Sequence, residues 1–70
     1  MTTPELGNRL RDARDAKGWT QAELAAAIGV SRKTINTVEN GVFIPSTVVA
    51  LKLADALGMR VEELFYLTRK

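Results

Sequence analysis

From Ser31 to Asn40 the chain reads Ser-Arg-Lys-Thr-Ile-Asn-Thr-Val-Glu-Asn. Wound as a helix at roughly 100° per residue, this run gathers Lys33, Asn36, Thr37 and Asn40 on one side, with Arg32 at the edge. Ile35 and Val38 share the other side with Ser31. The outward set contains no carboxylate. Its members suit the edges of base pairs: Arg and Lys for guanine acceptors, Asn for adenine, and the Thr methyl and hydroxyl for thymine or mixed contacts. A polar helix face is by default merely a solvated one. Two features set this one apart. An ordinary solvated face mixes Glu with Lys, whereas this one is cationic and amide-bearing. It also follows a short turn, Gly29-Val30-Ser31, in which a glycine bends the chain and a valine plugs the corner, the geometry that thrusts a helix outward.

Most other chemistry is excluded by residue type. The 70 residues contain no histidine and no cysteine. The commonest general base, the thiolate nucleophile, disulfides and Cys- or His-ligated metal sites are therefore missing. The nearest carboxylate pair, Glu62-Glu63, is adjacent in sequence and diverges around a helix rather than converging on a substrate. The chain reads as no enzyme, with no metal and no cofactor. No apolar run approaches the roughly 20 residues of a membrane span, and Met1 to Glu5 shows no secretory pattern. The expectation is a soluble cytoplasmic domain with no membrane partner. Net charge is +2, and residues 1–35 hold six basic against four acidic residues while residues 36–70 hold four of each. The excess in the first half is permissive for a polyanion and decides nothing alone.

The elements that must position the Arg32–Asn40 face are short helices punctuated by glycine. Thr2/Thr3-Pro4-Glu5 reads as a helix start, with Leu6, Leu10 and Ala13 at helical spacing and Gly18 as the stop. Thr20-Gln21-Ala22-Glu23 has the form of a capping box opening a second helix, with Leu24, Ala25 and Ile28 apolar and Gly29 closing it. Ser31 caps the third helix, which Gly41 stops. Pro45-Ser46 opens a fourth with Ala50, Leu53, Ala54 and Leu57 inward, and Gly58 ends it. A fifth, about Val61 to Phe65, precedes a tail, Tyr66-Leu67-Thr68, of extended character. Nothing alternates with period two over a useful length. The expectation is one all-α domain spanning residues 1–70.

Gln21-Ala22-Glu23-Leu24-Ala25, Gly29-Val30-Ser31, Ile35 and Val38-Glu39-Asn40-Gly41 together resemble the helix-turn-helix of the lambda-repressor/Cro, or XRE-type, DNA-binding proteins. Arg9-Leu10-Arg11, Arg14 and Lys17-Gly18-Trp19-Thr20 look like that family's first helix and its exit, and Pro45-Ser46 through Phe65 like its last two. The resemblance implies a compact five-helix domain in which helices 2 and 3 form the helix-turn-helix. It implies Ser31, Arg32, Lys33, Asn36 and Thr37 as base or near-base contacts. Gln21 would bond a phosphate or brace a recognition side chain, and Asn40 would bond phosphate. Glu39 lies only roughly 40° from Ile35 around the third helix, so its carboxylate needs a partner. The family pairs this Glu with a first-helix Arg, here Arg14, as a structural ion pair.

The function implied is a sequence-specific transcriptional regulator of double-stranded DNA, a repressor acting as a homodimer on a palindromic operator. Phe65, Tyr66 and Leu67 are the dimer-interface candidates in the 66–70 tail and its approach, and 70 residues leave no room for a small-molecule effector domain. An antitoxin or restriction-modification controller would share this fold, as would a protein-interaction module that has lost DNA binding. The chain departs from its relatives in three places. Val42-Phe43-Ile44 stands where a Lys or Arg near the DNA backbone is common, and serves packing against the fourth helix or across a dimer. Arg60 replaces the Ser or Thr expected to cap the fifth helix. Val48 and Val49 occupy positions where solvent-facing residues are common.

Overall fold

The computed structural model describes residues 6–68. In chain order the elements are β1 (Leu6–Asn8), α1 (Leu10–Lys17), α2 (Gln21–Ile28), α3 (Arg32–Glu39), α4 (Thr47–Leu57), α5 (Val61–Leu64) and β2 (Phe65–Leu67). Among the described residues there are five helices, as expected. The all-α assignment is corrected by a two-stranded antiparallel sheet, in which Leu6 pairs with Leu67, Gly7 with Tyr66 and Asn8 with Phe65. Leu6 therefore belongs to a strand and not to the first helix, which begins at Leu10. The helix start expected at Thr2/Thr3-Pro4-Glu5 lies outside the described residues. Phe65, expected at the end of the fifth helix, opens β2 instead, and the extended tail holds for Tyr66 and Leu67.

The starts of α2, α3 and α4 each have a side-chain cap. Thr20 Oγ1 accepts the Glu23 N–H at 3.1 Å while Glu23 Oε1 accepts the Thr20 N–H at 2.7 Å. That reciprocal pair satisfies two donors the first turn of α2 would leave bare. Ser31 Oγ accepts the Thr34 N–H at 3.1 Å to open α3, and Ser46 Oγ accepts the Val49 N–H at 3.2 Å to open α4. The start of α5 lacks such a side-chain acceptor, because the Arg60 guanidinium can only donate. Glu63 Oε1 instead accepts the Arg60 N–H at 2.8 Å, half of a capping box on a helix of four residues.

The helices bury one stripe each around a common core. Leu10, Leu24, Ile35, Val38, Leu53 and Leu64 have almost no exposed surface, and they come from α1, α2, α3, α4 and α5. The sheet closes the open end of this bundle. The Arg9 N–H donates to the Leu64 carbonyl at 2.8 Å, and the Tyr66 ring lies so close over Gly7 that a Cβ there would collide with it. A side chain at Gly7 would have to push aside the end of that exposed ring, over which the Arg9 guanidinium lies at 4.6 Å. Between α2 and α3, Gly29 takes φ 77°, a left-handed conformation that any other L-residue would adopt only under strain. Its N–H, with that of Val30, returns to the Ala25 carbonyl at 2.9 and 3.0 Å. The chain thereby leaves α2 and enters α3 within three residues.

Candidate nucleic-acid interface

The exposed side of α3 carries Arg32, Lys33 and Asn36, with Thr37 half-buried beside them and Asn40 exposed at the C-terminal end. The opposite side, Ile35 and Val38, is in the core. Among the described residues neither Arg32 nor Lys33 has an ion-pair partner, so both charged heads stand free at the N-terminal half of the helix. Ser31 is spent as the α3 cap: besides holding the Thr34 N–H, its Oγ shares a hydrogen bond with Thr34 Oγ1 at 3.0 Å. Thr37 turns its hydroxyl inward, with Oγ1 donating toward the Lys33 and Thr34 carbonyls at 3.0 Å each. Its methyl and lone pairs remain for contact.

Behind this face runs a polar network that joins three helices. Glu39 has a side chain with no exposed surface, and its Oε2 accepts from Arg14 Nε at 2.6 Å while Oε1 takes Arg14 Nη2 at 3.3 Å. Such a two-bond fork is the strong form of a carboxylate–guanidinium pair. Arg14 also donates from Nη1 to the Trp19 carbonyl at 2.8 Å, which fixes the exit of α1. Arg11 brings Nε to 3.5 Å from Glu39 Oε1. Burial by itself would raise the Glu39 carboxyl pKa. The hydrogen bonds from Arg14 and Gln21 and the Arg14 charge outweigh it, and the group is held below its ordinary value. The same contact with Glu39 raises Arg14.

Gln21, at the first position of α2, reaches into this network instead of pointing away from it. Its Nε2 donates to Glu39 Oε1 at 3.0 Å and to Asn36 Oδ1 at 3.2 Å. Asn40 caps α3, its Nδ2 donating to the Asn36 carbonyl at 2.9 Å and to Asn36 Oδ1 at 3.1 Å. Arg11 Nη2 closes the circuit by donating to Asn40 Oδ1 at 3.3 Å. Arg11 is the residue that sequence reasoning missed. It lies three positions before Arg14 and so on the same side of α1, a spacing that could have flagged it as a second cation for Glu39. Asn8 was missed as well: its Nδ2 donates to the Val38 carbonyl at 3.0 Å and its Oδ1 accepts the Leu10 N–H, tying β1 to the end of α3.

The remaining candidates lie elsewhere. Phe65 is buried in the core of the monomer, leaving Tyr66 and Leu67 of that trio on the surface. Val42, Phe43, Ile44 and Val48 are exposed, Val49 only partly so. The Val42–Ile44 loop is therefore not part of the buried core, and Phe43 and Ile44, about half exposed, border a small depression with Leu6, Val38 and Phe65. Among the described residues no helix is long and apolar enough to cross a membrane.

The comparisons with known proteins agree with this geometry. A family model described as helix-turn-helix matches residues 10–64. The HTH-type transcriptional regulator YgzD of Bacillus subtilis is 35% identical over 62 residues, covering 89% of this chain and 94% of its own. An HTH-type transcriptional regulator of Archaeoglobus fulgidus is 44% identical over 60 residues, 86% of either chain. Among solved structures, the restriction-modification controller protein C.AhdI from Aeromonas hydrophila superposes with a TM-score of 0.75 at 44% identity, covering 79% of this chain and 83% of its own. With α2 and α3 joined by a three-residue turn and the free cations of α3 facing outward, the chain belongs to the XRE-type helix-turn-helix family of DNA-binding transcriptional regulators.

Proposed function

We propose that this chain acts as a repressor that binds a two-fold symmetric operator as a homodimer, with α3 in the major groove. The observation that carries the reading is the carboxylate-less outer face of α3, where Arg32 and Lys33 stand beside Asn36 with no ion-pair partner among the described residues. The one carboxylate of that helix, Glu39, is turned inward and neutralised. Arg32 and Lys33 supply base or near-base contacts, Thr37 an apolar and acceptor contact. The first-turn N–H groups of α2 suit a phosphate. One such helix reads only a few base pairs. A second copy on a half-site about one helical turn away raises selectivity and doubles the backbone contacts. Leu6, Pro45, Ala50, Leu51, Val61 and Phe65 line an apolar depression next to exposed Val48, and this is the face we assign to the second copy. Repression follows from occupancy that excludes polymerase, and the setting is cytoplasmic.

The similarity to C.AhdI favours one alternative role for the same binding chemistry, that of a restriction-modification controller. Mobility-shift titration tests the common core of both. Affinity falls steeply with added salt if α3 and its surroundings displace counterions from phosphate. Arg32→Ala and Lys33→Ala each cost about 1–3 kcal/mol at one operator position. If the two alanine variants bind specific and scrambled duplexes as the parent does, the contact assignment is wrong, and a chain whose shift does not weaken with added salt is a protein-interaction module instead.

A further inference from the structure

The polar network behind α3 has a direction, and the direction determines what Asn36 can offer to a base. At one end stands Glu39, an ionised carboxylate that can only accept. The Gln21 atom 3.0 Å from it must therefore be the amide nitrogen. That nitrogen has one proton left, which it gives to Asn36, so the Asn36 atom it meets at 3.2 Å must be the oxygen. At the other end stands Arg11, a guanidinium that can only donate. The Asn40 atom it meets at 3.3 Å must be the oxygen. The Asn40 nitrogen then bonds the Asn36 carbonyl at 2.9 Å and passes its second proton to Asn36 Oδ1 at 3.1 Å. Both directions converge on the same assignment. Asn36 Oδ1 accepts twice, which fills its two lone pairs. No described residue accepts from Asn36 Nδ2, and the residue is exposed.

We propose that Asn36 reads DNA as a hydrogen-bond donor only, selecting a base edge rich in acceptors, guanine N7 and O6 foremost, and that the network denies it the two-bond adenine contact. An asparagine with both ends free accepts from the adenine 6-amino group and donates to N7. Here the accepting end is already occupied by Gln21 and Asn40, and turning the amide over would set a nitrogen against two donors. Arg32 and Lys33 are donors as well, so these three side chains of α3 address acceptors alone. The half-site is accordingly weighted toward guanine. Gln21 and Asn40 act as positioning residues for Asn36, and with both amide protons of each already given within the network, neither side chain keeps one for the phosphate contact the resemblance implied.

This inference rests on the DNA-reading role proposed above, and duplex selection from a random pool separates the two. With the full chain, a consensus emerges, and Asn36→Ala, an exposed change to a good helix former, erases the preference at one position within it. That position is expected to be guanine, with 7-deazaguanine there weakening binding on the order of tenfold. With adenine placed at that position, deletion of its 6-amino group leaves the affinity unchanged. Gln21→Met with Asn40→Ala frees the oxygen and shifts that one position toward adenine, while thermal unfolding verifies that the variant is folded. The analogue measurements on the unaltered protein stand whether or not that double variant folds. If no consensus emerges, the DNA-reading role fails and this inference with it. If a consensus emerges and Asn36→Ala leaves it unchanged, the inference alone fails. It fails equally if the Asn36 position is an adenine whose affinity depends on the 6-amino group.

Discussion

Glu39 is the residue on which three helices meet, and its chemistry makes a pH-dependent prediction. Its carboxyl is held below the ordinary value of 4.5 by Arg14 and Gln21 against the opposing effect of burial. The unfolded chain therefore takes up this proton before the folded one does. The stabilisation is complete above the ordinary value and is lost as pH falls through the lowered one. Glu39→Gln should flatten the acid limb of the melting-temperature profile below about pH 4.5. At neutral pH it should lower stability, because Arg14, mostly buried, loses its buried counter-charge and keeps only the exposed Asp15 carboxylate at 3.4 Å. Removing one partner of such a pair costs about 3–5 kcal/mol, while replacing both by apolar residues costs far less. Arg14→Met with Glu39→Leu should accordingly melt higher than Arg14→Met alone. Denaturation followed by circular dichroism from pH 2 to 8 decides the point. A Glu39→Gln variant that keeps the parental acid limb would remove Glu39 from any part in it.

At the scale of elements, the caps separate what the sequence discloses from what it hides. Thr20 with Glu23, Ser31, Ser46 and the stops at Gly18, Gly29 and Gly58 are local devices. Each acts within a turn of its own helix, and each is where the sequence places it. The sheet is different. Its strands have three residues apiece and pair Leu6 with Leu67 across almost the whole chain, so no period-two pattern has room to develop. Leu6 happens to precede Leu10 by one helical turn, which made it pass for a helical residue. The network around Asn36 was hidden for a related reason. Helix angles around α3 separate Asn36 from Ile35, but only the turn at Gly29 decides that Gln21 of α2 comes within reach of it. The free cations Arg32 and Lys33 needed no such information. A cap on the recognition helix should matter twice. Ser31→Ala removes the acceptor for the Thr34 N–H and should cost about 1 kcal/mol of stability. It should also weaken specific DNA binding more than non-specific binding, since the fraying turn carries Arg32 and Lys33. Equal losses on both kinds of duplex would show that the cap supports stability alone.

For the molecule as a whole, size sets the terms. Seventy residues at about 0.05–0.15 kcal/mol each give a stability of only a few kcal/mol to about 10. Yet Val42, Phe43, Ile44, Val48, Leu51 and Leu67 are all about half exposed or more. A monomer with a marginal core gains little from displaying so much apolar surface, and two copies joined over it would gain both stability and a second recognition helix. Mass action gives this reading a direct test. If the folded chain associates and the unfolded chain does not, the melting temperature rises with protein concentration. Leu51 is the residue to change, because it lines the depression on α4 and stands 54% exposed, so its loss opens no cavity in the core. Leu51→Lys should abolish the concentration dependence and leave the dilute-solution melting temperature nearly unchanged, since exposed substitutions fall mostly within about 0.5 kcal/mol. The same variant should bind a palindromic duplex no more tightly than a single half-site, with the steepness of its salt dependence roughly halved as the number of neutralised phosphates halves. Sedimentation equilibrium on the parent and the variant provides the independent measure. A parent that sediments as a monomer at every concentration, and melts at one temperature throughout, would leave the exposed apolar face to some other partner and the operator without its two-fold axis.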